Sequence, residues 1–441
     1  MGKDIVMQLV EFAAGMKCES IPEEILEFTK RLTLKTVAGI LAGSAKPSGK
    51  KMANLIKDLK LPEQIRVMGC GFKTSLWEAV FLHAYLAHAS ELEDDRFEDA
   101  ISWDITVIPL LLPLGEKLGL TGKALLEALV AGLEIHTRTC LFSGQHIKQF
   151  VIPGAVGPAA GAAKALGLNL KETEAAIGLA MSGVPTTAHN TGTDAHFFES
   201  ALQCLQGLMS AEMAKVGLKG NPDITTYLSN FLGSERVVPE KMVEDLGKRW
   251  MLREIQIKKY PCCLMAHRQI DSVIELKKAH NLAYEDIDVI EVHASPGDTM
   301  LDRPQPNDEN DIQFSIQHML AAAMLDGDVN LEHMTQAAIF DQRIKKARAK
   351  VKFILNPDLD SEWLKARSLI IIKMKNGKEF SRERMYQLGH PKDPLKTEEQ
   401  FRELYTKFTK GILAQNEISR TADMILNLEK LENVKELLTV L

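Results

Sequence analysis

Residues 154–167 read GAVGPAAGAAKALG, and how this stretch is taken decides the fold. Glycine and alanine recur there at helical spacing, which lets a neighbouring backbone come close. A glycine-rich phosphate loop would need a strand before it, and the preceding sequence predicts none. The stretch therefore predicts a central, tightly packed helix. Working outward, Thr121 opens TGKALLEALVAGLEIHTR, and Asn169 with Glu172 three residues on forms a capping-box pattern ahead of 175–181. Near the start, Pro22 follows Ser20 as a predicted first helical residue, with Ile25, Phe28 and Leu32 on one stripe.

The period changes after about residue 253. Ile255 and Ile257 alternate with polar neighbours, IDVIEVH (287–293) and Val351–Leu355 read as strands, and 368–374 with 379–384 reads as a hairpin. Asn376-Gly377 predicts a type I′ turn for it. Helices are expected near 264–280, 313–325 and 338–349, and the last fifty residues return to helix. The fold class is thus mainly α. A large all-helical domain (1–253) is followed by a smaller α+β domain (254–390), and C-terminal helices (391–441) rejoin the first.

Composition narrows the function. The 441 residues are 45% hydrophobic and 25% charged, which excludes disorder and collagen. The 53 basic against 59 acidic residues leave a formal charge of −6, so no nucleic-acid partner is expected. Six scattered cysteines, none in a Cys-x-x-Cys pair, predict reduced, mostly buried thiols and a cytoplasmic protein. No targeting segment is read at the N-terminus. The apolar run from Ile105 to Leu114 is short and broken by Pro109 and Pro113, so no membrane span is expected.

Four clusters carry candidate chemistry. HASELEDDRFED (88–99) places Glu91, Glu93, Asp94, Asp95, Glu98 and Asp99 against the single Arg96. It is either a solvated acidic loop or the home of a general base raised by its like-charged neighbours. His88, Glu91 and Asp95 have a spacing that metal ligands use, but carboxylate-rich loops produce it by chance, and no metal is assigned. GTDAHFFES (192–200) offers His196, either a proton carrier or a helix-start residue. IKKYPCCLMAHRQID (257–271) gathers Lys258, Lys259, His267 and Arg268 around a Tyr-Pro turn. Cationic groups there would hold a carboxylate and stabilise an enediolate, unless the segment is a basic turn in water. Cys262 and Cys263 are read as structural. DRPQPNDENDIQFSIQHML (302–320) is a Pro-rich turn before a helix from about Asp311, with Phe314 and His318 on one face.

The order of these motifs resembles the MmgE/PrpD family, which includes 2-methylcitrate dehydratase, cis-aconitate decarboxylase and an iminodisuccinate epimerase. The resemblance rests on the 88–95 loop, Gly132-x-Glu134, Leu166-Gly167-Leu168, Lys258-x-Tyr260-Pro261 with His267, Arg303-Pro304, and Phe314-Ser315. It implies a helical domain with an α+β lid, a homodimer, and chemistry on a small carboxylate without metal or organic cofactor. Departures are equally specific. Glu91 and Asp95 stand where the family has Asp and Thr, and Ser102 falls where it has a histidine. His196 replaces a lysine and His318 a tyrosine, while His146 or Lys148 fits a histidine before the small-residue helix.

From this resemblance the expected activity is a cofactor-independent lyase or isomerase: a dehydratase, decarboxylase or epimerase. Glu91 or His196 would take the α-proton, with Asp95 beside them. Lys258 would hold the carboxylate, and His318 or His267 would act as acid. Lys259, Tyr260, Arg268 and Arg303 would bind substrate. The alternatives are a catalytically altered binding or scaffold protein, and a metal-dependent hydrolase using the acidic loop.

Overall fold

The computed structural model describes residues 2–96, 101–102, 104–142, 154–183, 188–361 and 365–441. Glu98, Asp99, His146 and Lys148 lie outside the described residues. The chain divides into two compact units, residues 1–255 with 397–441, and residues 256–396.

The first unit is helical. Its N-terminal part contains α1 (Gly2–Gly15), α2 (Glu23–Ala45), α3 (Pro47–Asp58), α4 (Leu76–Ala89), α5 (Asp104–Leu118), α6 (Gly122–Arg138), α7 (Val156–Ala165), α8 (Leu170–Ala180), α9 (Asp194–Lys215) and α10 (Ile224–Leu232). Two short antiparallel ladders accompany them: β1 (Ile65–Arg66) with β2 (Lys73–Thr74), and β3 (Asp95–Arg96) with β4 (Ile101–Ser102). Pro22 is the cap before α2 rather than its first residue.

The small-residue stretch is the central helix. α7 packs against α5, α6, α8 and α9, and residues 156–163 are all buried. A Cβ on Gly157 would stand 2.1 Å from Cβ of His136, and one on Gly161 would stand 3.2 Å from Cα of Gly132. The backbones of α6 and α7 therefore touch only because these positions lack side chains. Just beyond that contact, Glu134 pairs with Arg138 at 2.6 Å and accepts the N–H groups of Met251 (3.1 Å) and Leu252 (3.0 Å). Burial pushes the Glu134 carboxyl up, and the Arg138 guanidinium opposes that shift. The Asn169–Glu172 capping box and the Thr121 cap are both present.

The prolines of α5 do not break it. Pro109 and Pro113 sit inside a continuous helix whose residues 104–115 are all buried. Each removes one helical N–H donor, and burial on every side outweighs the loss. No helix among the described residues is long and apolar enough to cross a membrane.

The second unit holds α11 (His267–His280), β5 (Ile287–Ala294), α12 (Glu309–Ile312), α13 (Ile316–Asp326), α14 (Gln336–Phe340), α15 (Gln342–Arg348), β6 (Val351–Leu355), β7 (Ser368–Met374) and β8 (Glu379–Arg384). The sheet order is β6-β5-β7-β8, with β5 and β6 parallel and the other pairs antiparallel. Ile290, Val292, Ile370 and Ile372 are buried, and α11 packs on β7 and β8. The segment at Ile255–Ile257 forms no strand.

Two local readings are corrected here. The helix expected from Asp311 is interrupted, because Ser315 caps a new one by accepting the N–H of His318 at 3.2 Å. The hairpin turn is not type I′, which needs a positive φ at both central residues. Gly377 alone is at φ +83°, and its N–H donates to Met374 O at 2.9 Å. This is a three-residue loop ending in a left-handed glycine.

The C-terminal helices α16 (Glu398–Thr409), α17 (Gln415–Leu426) and α18 (Lys435–Val440) belong to the first unit. α16 and α17 pack on α2, and α18 packs on α5.

Candidate active site

The described part of the acidic loop, residues 88–96, is not solvated. Glu91, Glu93, Asp94, Asp95 and Arg96 are all buried, which removes the reading of a water-exposed charge run. α2 and α5 hold it from beneath. Lys35 Nζ donates to Leu92 O at 2.6 Å and lies 3.5 Å from Asp94 Oδ1, while the Asp94 N–H donates to Asp104 Oδ1 at 3.0 Å. Thr36 Oγ1 donates to Asp104 Oδ2 at 2.7 Å and also lies 2.9 Å from Leu32 O. Burial, with the Asp94 carboxylate adding to it, pushes the Asp104 carboxyl up to about 8. Lys35 and Asp94 are thus a compensated pair beside a neutral acid.

Above this floor, α4 ends and the chain turns. Glu91 has φ +53°, the left-handed conformation that usually falls to glycine at a helix C-terminus. Its N–H donates to His88 O at 2.9 Å. Holding a glutamate there costs about 1–2 kcal/mol, a strain of the kind that collects at functional sites.

α4 packs along α9, and this brings His88 and His196 together with ring centroids 4.3 Å apart. One ligand-type atom each from His88, Glu91 and His196 lies within 4.8 Å of the other two. Asp95, expected in this group, is drawn away: its Oδ1 accepts the Ser102 hydroxyl at 2.7 Å. The imidazole tautomers follow from their partners. Ser200 Oγ donates to Phe197 O at 3.0 Å, so at its 2.9 Å contact with His88 it accepts Nδ1–H. His196 Nδ1 lies 3.5 Å from Glu199 Oε2, and Glu199 is itself held by Asn190 Nδ2 at 2.5 Å. A proton on each Nδ1 puts the lone pair on each Nε2. The sequence places Glu199 in the same cluster as His196, but nothing in it singles out Ser200, one helical turn further on.

The candidates in the second unit form their own networks. Lys258 is buried. Lys259 Nζ (3.0 Å) and the Tyr260 hydroxyl (2.8 Å) both donate to Asp271 Oδ1, and Asp271 Oδ2 accepts the Leu388 N–H at 2.8 Å. Burial, and after it Asp271, push the Tyr260 phenol well above its ordinary range. Arg303 donates to Asp311 at 2.8 Å, its guanidinium 5.0 Å from the centre of the Phe314 ring. Arg268, expected to bind substrate, is held by protein groups. Fully buried, it forks onto both oxygens of Asp298 at 2.9 Å and donates to Ala366 O at 2.5 Å.

The two histidines expected as acids each face a backbone carbonyl. His318 Nε2 lies 2.8 Å from His333 O and His267 Nε2 lies 3.3 Å from Cys262 O; a carbonyl only accepts, so both Nε2–H protons are engaged. Burial pulls the His318 imidazole down to about 4. It is therefore neutral at physiological pH, with its Nε2–H on the His333 carbonyl. The six cysteines are free thiols, and Cys262 and Cys263 are buried.

Residues 7–233 match the model of the MmgE/PrpD N-terminal domain, and residues 260–430 match that of the MmgE/PrpD C-terminal domain. The chain is 24% identical over 460 residues to the cis-aconitate decarboxylase of Mus musculus, covering 100% of this chain and 94% of that protein. It is 24% identical over 469 residues to the Homo sapiens cis-aconitate decarboxylase (100% and 95%). Against the Aspergillus terreus cis-aconitate decarboxylase it is 22% identical over 479 residues (99% and 96%).

Proposed function

We propose that this chain, which belongs to the MmgE/PrpD family, is a lyase or isomerase that takes the α-proton from a small carboxylic acid without a cofactor. The relatives are named for a decarboxylation, which is a lyase reaction. The observation that carries the reading is the His88–Glu91–His196 cluster, two imidazoles with engaged Nδ1–H groups beside a buried carboxylate. Such a cluster is built to accept a proton rather than to give one.

Glu91 or His196 is the base, and Lys258 offsets the charge that develops as the α-carbon loses its proton. The family resemblance puts a lysine at position 196 and a histidine at 102. Their absence removes fixed donors that a tricarboxylate would need, so the substrate carries fewer carboxylates. Dehydration and epimerisation are the alternatives for the step that follows; decarboxylation would instead use the same groups to deliver a proton to the carbon that loses CO2. A homodimer is the form the resemblance implies, with a cytoplasmic location expected from the scattered cysteines, and light scattering of the pure protein tests the stoichiometry.

The test is turnover. The pure protein is incubated with hydroxy-di- and tricarboxylic acids and with unsaturated acids, and products are followed by NMR. Turnover that persists in EDTA and falls at least a hundredfold in Lys258→Ala and His196→Ala supports the reading. Tight binding of an acid without any turnover would replace it with a binding protein.

A further inference from the structure

We propose that His88, Glu91 and His196 also form a binding site for one divalent transition-metal ion of the zinc or cobalt type. Two imidazoles and one carboxylate are a donor set that such ions take with positions left open, and that magnesium and calcium, which prefer oxygen, do not. The three candidate ligand atoms already lie within 4.8 Å of one another. Around a tetrahedral ion with bonds near 2.0–2.1 Å they would be about 3.4 Å apart. The remaining contraction is small, and the His196 side chain, 25% exposed, has room to supply it.

The surroundings strengthen the assignment. A metal-binding histidine commonly gives its other ring N–H to an oxygen that fixes ring and tautomer. Both imidazoles have such a partner: Ser200 Oγ at 2.9 Å for His88, and Glu199 Oε2 at 3.5 Å for His196. Each partner is in turn anchored, Ser200 to Phe197 O and Glu199 by Asn190. The third donor, Glu91, sits on a left-handed backbone that turns it back beside the end of α4. A fourth group is close by, since Glu93 Oε1 is 4.0 Å from His88 Nε2.

An ion bound here holds the lone pairs that proton transfer uses. Occupancy therefore silences the enzyme, and the unloaded form is the active one. This consequence, unlike the site itself, rests on the proposed function.

The experiment uses the full chain stripped with EDTA and titrated with Co2+. Expected are d–d absorption bands saturating at one ion per chain, and a Tm raised by several degrees by Zn2+ but not by Mg2+. His196→Gln and Glu91→Gln, shown folded by circular dichroism, should each weaken Co2+ binding at least tenfold. No saturable binding, or equal binding by both variants, overturns the site. Stoichiometric binding with catalytic turnover unchanged by Zn2+ overturns the inhibition and the base assignment while the site stands. EDTA-insensitive turnover without any Co2+ binding overturns the site and leaves the proposed function intact.

Discussion

Asp104→Asn asks whether the acidic loop rests on a neutral acid. In the fold Asp104 accepts the Asp94 N–H and the Thr36 hydroxyl, and burial holds it protonated. Asparagine reproduces that form: its oxygen accepts from Asp94 and its NH2 donates to Thr36. The carboxyl is raised from 3.8 to about 8, so between these pH values the native state holds a proton that the unfolded chain has released. Its contribution to stability is therefore complete below about pH 4 and is lost as pH climbs towards 8. The steepest possible slope is about 1.4 kcal/mol per pH unit. Discounted for coupling to Asp94, wild type should lose about 1–2 kcal/mol relative to Asp104→Asn between pH 5 and pH 7. Urea unfolding of both proteins at pH 5, 6, 7 and 8, followed by circular dichroism, measures the difference and cancels other titrations. At pH 5 the variant should lie within about 1 kcal/mol of wild type. Parallel pH curves, or a variant about 3 kcal/mol weaker at pH 7, would show an ionised, paired Asp104 and refute the reasoning.

Further substitutions test the scaffold. Gly157→Ala sets a Cβ 2.1 Å from the His136 side chain and should cost about 1–3 kcal/mol in urea unfolding; Gly15→Ala, with nothing within 4 Å, should change it by less than about 0.5 kcal/mol. Asp298→Ala strands the buried Arg268 and should cost about 3–5 kcal/mol by the same measurement. Gly377→Ala, at φ +83°, should cost about 1 kcal/mol, whereas Asn376→Ala should be nearly neutral.

Much of the architecture is legible where interactions are local. The Asn169–Glu172 cap and the strands at 287–294, 351–355, 368–374 and 379–384 follow from spacing and alternation. The small-residue helix follows from the absence of side chains where backbones meet. Reading fails where tertiary context overrides a local signal. Proline normally ends a helix, yet burial carries α5 through two of them. Asn376-Gly377 suggests a two-residue turn, yet the strand register makes the loop one residue longer.

The site divides in the same way. His88 and Glu91 are three apart on one turn, so their closeness is visible in the sequence. His196 joins them only because α4 packs along α9, a contact more than a hundred residues long in sequence. Asp95 looks equivalent to Glu91 on paper, but its pairing with Ser102 across the β3–β4 ladder turns it elsewhere. The tautomers of His267 and His318 are not legible in the sequence, because a backbone carbonyl that fixes a tautomer leaves no mark on it.

The central claim is that this chain removes an α-proton using the His88–Glu91–His196 cluster. Its most direct test is NMR of candidate acids in D2O with the metal-free protein. Expected are loss of the α-proton signal of at least one acid, and no loss with His196→Ala or Glu91→Gln. Exchange at wild-type rate in both variants would contradict it, as would no exchange with any acid while the same protein turns one of them over.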